Sequence, residues 1–425
     1  MYDFANSSYT TVIVTVYYAQ LFPSVIVGDD RLGNLLWSVA LSLSYGLTVI
    51  TLPLLGALMD TAGRRKWFLA ASTILTVAAT AGLGLVGPGA VGLAMGLIVL
   101  SSYGFSVGES FIAAFLPDLG PASAWGRISG FAWGLGYIGG LGSTALVLGA
   151  LGDPVPGNTA ARWAGPMTAA WFAVAAIPTF LLLRDRAVPR PQPEGSSLVR
   201  TSLAQLQRTF REARRYRDLM MFLVSYLFAM AGLSIVVSFA FIYGRQVIQW
   251  SSGTQAAMFG ITQISATVGA LGFGWLQGRI GDKATYALTL LVWVVSVVLI
   301  RITPTLTDLG RALVSPSLEV ETVFLGVGAL AGLCIGATQS ASRTLVALLS
   351  PPDKVGEFFG LWGVFGKLAA IVGLLSLGVL QAQLGLQSAI LVTAVFFGIG
   401  FVVVLAVDVD RGRATAADPT RTSHR

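Results

Sequence analysis

Charge, cysteine and histidine are all scarce in this sequence. Only 11% of its 425 residues are charged, against about 25% in an ordinary soluble domain, so a solvated globular surface is excluded for most of the chain. Cys334 is the only cysteine and lies in an apolar run, which rules out a disulfide framework and a thiolate metal site. His424 is the only histidine and falls in the polar tail, which removes a histidine proton relay. HExxH and Walker loops are absent too, so neither an intramembrane enzyme nor built-in ATP drive is expected, and no metal or cofactor is implied. The net charge of +7 and isoelectric point near 9.7 do not point to nucleic acid. Base-stacking and groove-reading motifs are missing, and the basic residues flank apolar spans, where positive charge sets topology.

What is abundant is apolar sequence: 55% of residues are hydrophobic and the mean hydropathy is +0.75. Runs of about 20 apolar residues each suffice to cross a hydrocarbon core roughly 30 Å thick. They recur near 4–27, 33–59, 67–87, 90–116, 127–151, 164–183, 218–244, 254–278, 284–303, 320–348, 357–382 and 386–406. The expected fold class is therefore an all-α membrane protein with twelve transmembrane helices. The first run has no basic leader and continues into a full-length span, so no cleavable signal peptide is expected. Twenty Lys and Arg fall in the even-numbered connections and tails and five in the odd-numbered ones. That bias places both termini in the cytosol.

The chain divides into a six-helix bundle over 1–183, a basic linker over 184–217, a second bundle over 218–406 and a polar tail over 407–425. In the linker, Val199, Leu203, Leu206 and Phe210 repeat at helical spacing among arginines from Arg200 to Arg217, a pattern suited to a helix on an anionic cytosolic leaflet; a solvated linker is the alternative. The halves echo each other. GALMDTAGRRK (56–66) and GWLQGRIGDKA (274–284) share glycines at one offset, and GRISG (126–130) and GEFFG (356–360) share glycines at another. Two repeats of the same in/out sense make two pseudo-symmetric six-helix bundles around a central site.

GALMDTAGRRK resembles the loop signature of the major facilitator superfamily, G-x-x-x-D-R-x-G-R-R-K, through Asp60, Gly63, Arg64, Arg65 and Lys66. Thr61 stands where the signature has arginine. The second copy has Gly278 in place of the acid and retains Arg279. Such loops are implied to latch the cytosolic ends of the two halves. YDFANSSY (2–9), FLPDLGPASAWGRISGFAWGLGYIGG (115–140) and EFFGLWGVFGK (357–367) resemble the branch containing the autophagy-related vacuolar amino-acid effluxers and their bacterial relatives. That resemblance implies export of amino acids or similar solutes in fungi and fixes no substrate in bacteria. Members usually carry a short tail before YDFANS, so a few leading residues are expected to be missing here.

Three charges stand inside apolar runs. Lys367 lies ten residues past Glu357, roughly 15 Å into its helix, where a lysine cannot snorkel to water and costs about 2.5–3.5 kcal/mol. It shares a face with Gly356, Gly360, Gly363 and Ala370, which directs it toward protein for substrate binding, gating or helix packing. Glu109 and Arg343 each lie eight residues before a proline, on the stripes Ser102, Ser106, Glu109, Ala113 and Gly336, Gln339, Ser340, Arg343, Ala347. In the implied fold they face one another across the cavity. Arg343 then receives a substrate carboxylate while Glu109 receives an ammonium or a coupling proton; a fixed structural ion pair is the alternative. Asp3 and Asn6 either cap the first helix or join the inner gate. Gln263, with Tyr9 and Thr10, is a weaker cavity candidate. Gly130, Gly134, Gly136, Gly140, Gly274 and Gly278 read as packing surfaces.

The expected function is a monomeric secondary transporter moving a small polar or zwitterionic solute by alternating access, with H+ as a candidate coupling ion. A transporter-shaped solute sensor is the alternative. Arginine outnumbers lysine 23 to 4, which favours a GC-rich bacterial genome and its plasma membrane over a vacuolar membrane.

Overall fold

The computed structural model describes residues 1–187, 197, 200–202, 204, 207, 215–313 and 315–417. Among these, all regular structure is helical. Twelve helices are long and apolar enough to cross a membrane: α1 Tyr2–Val27, α2 Asp30–Ala62, α3 Arg65–Leu85, α4 Val91–Ala113, α5 Ala122–Leu151, α6 Thr159–Leu182, α7 Arg217–Ser238, α8 Gly253–Ile280, α9 Asp282–Leu313, α10 Val320–Leu349, α11 Val355–Gln381 and α12 Leu386–Leu405. A short α13, Val409–Ala417, follows.

Local chemistry explains how these helices begin, end and tolerate their polar residues. Asp29 accepts from the Leu32 amide at 2.8 Å and opens α2; Gly63, in the left-handed region at φ 58°, closes it. Ser251 caps α8 by accepting from the Thr254 amide at 3.1 Å. Buried hydroxyls donate back one turn, as Thr48 does to Ser44, Thr76 to Ser72 and Thr307 to Thr303, so these hydroxyl hydrogens are not stranded in an apolar interior.

Contacts divide the chain into two compact units: residues 1–120, 135–211 and 352–364, and residues 121–134, 212–351 and 365–425. In the first unit α4 packs on α2 and α3, and α6 on α1 and α3. In the second, α10 packs on α8 and α9, and α12 on α7 and α9. Adding six to each helix number converts one pattern into the other. The first unit includes the opening of α11, and the second the opening of α5, so neither unit ends at the central loop. Glycines carry both placements: Gly356 and Gly360 meet Gly56 and Leu52 of α2, while Gly130 meets Ala270 and Gly274 of α8.

Several expectations change. The ninth span runs ten residues past its expected end, through Pro304 to Leu313; the proline leaves the Ile300 carbonyl without its helical donor, and the Tyr243 hydroxyl donates to it at 3.2 Å. Part of the expected polar tail is α13. Tyr9–Val16 and Phe22–Val27 of α1 are π-helical, which no apolar pattern signals. A methyl group added at Gly278 would meet nothing within 4 Å, so this is not a packing glycine. Asp3 is not the cap: α1 starts at Tyr2, leaving Met1 at the cap position with no side-chain bond and Asp3 inside the first turn. Most of the linker pattern, including Val199, Leu203, Leu206 and Phe210, lies outside the described residues, as does His424.

Candidate functional site

In the first unit the junction between α2 and α3 is organised around one buried carboxylate. Asp60, 4% exposed, accepts from the Gly356 amide at 3.0 Å and the Glu357 amide at 2.9 Å. These are orphan donors at the opening of α11, where a helix leaves its first N–H groups without intrahelical partners and where the helix dipole favours negative charge. Behind it, Arg65 is buried with Nη2 3.4 Å from Asp60 and Nη1 3.4 Å from Asp118, and Nη1 also donates to the Ala114 carbonyl. Burial pushes the Asp118 carboxyl above the usual carboxylate range, with Arg65 pulling it back down. Lys66 Nζ donates to the Leu183 carbonyl at 2.9 Å, and its amide donates to Asp185, so this lysine ties α3 to the end of α6. Arg64 is exposed. Thr61 donates to the Ala57 carbonyl and accepts from Ser202.

A second polar group in this unit gathers at the start of α1. The Tyr2 hydroxyl bonds Thr73 Oγ1 at 2.9 Å and lies beside Gly108 and Ser72, within electrostatic reach of both Asp3 and Glu109. Tyr9, two turns further along, bonds Ser101 at 2.8 Å and stacks on Phe105. Asn6 sits between the two tyrosines at helical spacing on that face. Its carboxamide oxygen is buried and has no hydrogen-bond partner among the described residues. Glu109 is half-buried, and Ser102 and Ser106 on the same stripe are buried.

In the second unit Arg343 is 4% exposed and its guanidinium carbon lies 5.0 Å from the centre of the Trp133 ring. Ser129, one turn before Trp133, donates to the Ser340 carbonyl at 3.0 Å, one turn before Arg343. The opening of α5 and the end of α10 are thus pinned side by side, and the cation sits on an aromatic face. Gln263 and Lys367 are half-buried. Thr267 donates to the Gln263 and Gly134 carbonyls, which ties that turn of α8 to α5. The second signature copy is different in kind. Arg279 is exposed and folds back over Trp275, 3.6 Å from the ring centre. The residue buried against the opening of α5 is Gln277, beside Gly126. Neither of its amide atoms has a partner among the described residues.

The vacuole effluxer Atg22-like family model matches residues 36–127 and 121–417. The chain belongs to that family. An uncharacterized MFS-type transporter, YxiO, of Bacillus subtilis (strain 168) is 27% identical over 419 residues, covering 96% of this chain and 93% of the relative. Autophagy-related protein 22-1 of Penicillium rubens is 24% identical over 307 residues, 68% of this chain and 50% of the relative; the chain spans about half the length of that fungal protein. Among solved structures, the XylE proton:xylose symporter gives a TM-score of 0.70 at 12% identity, covering 94% of this chain and 92% of XylE. A bacterial homologue of the iron transporter ferroportin in an outward-facing state gives 0.68 at 16% identity, covering 95% and 96%. The Atg22-like chain is therefore a multi-pass membrane protein with the major facilitator fold.

Sequence reasoning singles out Asp60, Arg65, Lys66 and Arg343 and misses their partners. Trp133 is within its reach, since Ser129 and Trp133 are one helical turn apart in the 115–140 stretch that carries the family resemblance. Glu357, fully buried at the opening of α11, stands in the EFF motif with no role assigned to it by pattern alone. Asp118 gives no signal, because a loop aspartate 53 positions from its arginine looks like any solvated one.

Proposed function

We propose that this Atg22-like protein is a secondary transporter for a small zwitterionic solute of the amino-acid class, with Arg343 receiving the solute carboxylate. The observation that carries the reading is a buried arginine inside a membrane helix, held against Trp133 where the Ser129 hydroxyl donates to the Ser340 carbonyl. Such a cation is costly in lipid, and its planar fork matches a carboxylate. Glu109, on a serine-lined stripe of α4, takes the solute ammonium or a coupling proton; Lys367, Asn6 and Gln263 are further polar contacts. Asp3 and the Asp60, Gly63, Arg64, Arg65 and Lys66 set take part in gating. Family membership beside autophagy-related effluxers and the proton-coupled XylE among the structural neighbours support this class of substrate and H+ coupling. The bacterial relative of matching length supports a plasma-membrane location, with the charge bias placing the termini in the cytosol and a monomer as the working form.

The test is a thermal-shift screen of the purified protein against amino acids and related zwitterions, followed by flux of the hit into proteoliposomes. A zwitterion that stabilises the wild type should stop doing so in Arg343→Ala and lose at least tenfold in affinity, about the 1.4 kcal/mol of one charge-assisted contact. Equal stabilisation of both proteins removes Arg343 from recognition.

A further inference from the structure

The outward stripe of α8 ends in a built contact for charge at the membrane boundary. Ile264, Val268, Leu271 and Trp275 are 58%, 56%, 44% and 50% exposed and follow one another at spacings of four, three and four, a single helical face. Methyl groups added at Gly272 and Gly278 would meet nothing within 4 Å, whereas Leu271 lies beside Gly134 of α5, so the stripe is open along Ile264, Val268 and Trp275 and is bordered by α5 at Leu271. Such a run of large apolar side chains is what a lipid-facing surface requires, and its final tryptophan is the residue that settles at the interface. One turn beyond, Arg279 lies over that indole at 3.6 Å. Among the described residues no carboxylate pairs with Arg279.

We infer that Trp275 and Arg279 form a binding site for the phosphodiester headgroup of an anionic phospholipid, with the acyl chains lying along Leu271, Val268 and Ile264. Each part supplies a separate requirement. The ring face holds the guanidinium by a cation–π contact, so the arginine is ordered before lipid arrives. Its N–H edge remains available for a bidentate phosphate contact. The apolar stripe runs roughly 22 Å from Ile264 to Arg279 at about 1.5 Å per residue, long enough for a fatty acyl chain beneath its headgroup. The glycine at 278, where the first signature copy has Asp60, removes the acid that would otherwise compete for this arginine. This site is independent of the solute-binding reading.

Native mass spectrometry of the full-length protein, titrated with phosphatidylglycerol and separately with phosphatidylcholine, tests it. The wild type should hold its tightest phosphatidylglycerol in preference to phosphatidylcholine. Arg279→Ala and Trp275→Leu should each weaken that tightest phosphatidylglycerol about fivefold, the effect of one arginine at an anionic surface, and leave phosphatidylcholine unchanged. Arg31→Ala, at an exposed arginine far along the sequence, is the control and should change neither. Both variant sites are exposed, so melting without added lipid should match the wild type; if Arg279→Ala melts early, Arg279→Gln carries the same test. Unchanged phosphatidylglycerol affinity in the arginine variants, or an equal loss for both lipids, overturns the site.

Discussion

At residue 60 the chain carries an aspartate and, at the equivalent position of the second repeat, Gly278; the two helix junctions diverge from there. Asp60 gives the opening of α11 two charge-assisted hydrogen bonds and is itself held by Arg65, which reaches on to Asp118. Among the described residues, the opening of α5 meets no charge at the corresponding place. It meets Gln277, buried and without side-chain hydrogen bonds among the described residues, and the close backbone approach of Gly130 to Gly274, where an added methyl would lie 3.0 Å from the neighbouring Cα. One junction is fastened by electrostatics and the other by shape. A hydrogen bond to a charged group contributes about 1.5–3 kcal/mol, whereas a buried polar atom left unpaired costs about 1–3 kcal/mol. The same helical framework therefore carries a strong latch in one unit and a weak one in the other, and Arg279, released from the latch, is free to serve the membrane face.

The largest contrast should come from the two arginines. Arg65→Ala leaves buried Asp60 with its two amide donors but no counter-charge, and half-buried Asp118 without its cation, and should lower stability by about 3 kcal/mol or more. Arg279→Ala, at an exposed position, should change it by less than about 0.5 kcal/mol. Thermal melting in detergent measures both, and equal losses would remove the distinction. Restoring the acid with Gly278→Asp should be tolerated within about 0.5 kcal/mol, because the position faces open space; a marked stabilisation would show that the second copy is a latch lacking only its charge. The smallest effect concerns pH. Asp118 binds its proton more tightly in the folded protein than in the unfolded chain, so its contribution is complete below the unfolded value near 3.8 and is lost as pH rises through the folded value. Asp118→Asn should flatten the fall in melting midpoint over that acid window, and an unchanged profile would show that burial does not govern this carboxyl.

The twelve spans are legible in the sequence because each apolar run reaches the length a bilayer demands, and the repeat is legible in glycines, some held by close contacts, as Gly56, Gly130, Gly274 and Gly356 are, and Gly63 and Gly281 by a positive φ. The Asp60–Arg65 pairing follows from a recognisable motif. What sequence does not give is held by contacts distant along the chain. α13 is polar and short, and it is fixed by Arg411 gripping Asp218 at 2.7 and 2.8 Å, 193 positions away; this bond also raises the basicity of Arg411. Lys283 adds bonds to the Leu405 and Val407 carbonyls. Gln277 is hidden for another reason. It sits one place before the position where the motif has its acid, so aligning the two copies directs attention to Gly278 instead. Trp133 gains its meaning only where the fold lays Arg343 over its face.

The most direct test of the uneven latch is the melting midpoint of Asp60→Ala set beside that of Gln277→Ala in the same detergent. Removing Asp60 leaves Arg65 buried with one carboxylate in place of two and two helix amides unsatisfied, and the midpoint should fall by about 6 °C or more. Removing Gln277 deletes two unpaired polar atoms and should shift it by less than about 2 °C in either direction. Falls of equal size in the two variants would contradict the distinction between a charged junction and a packed one.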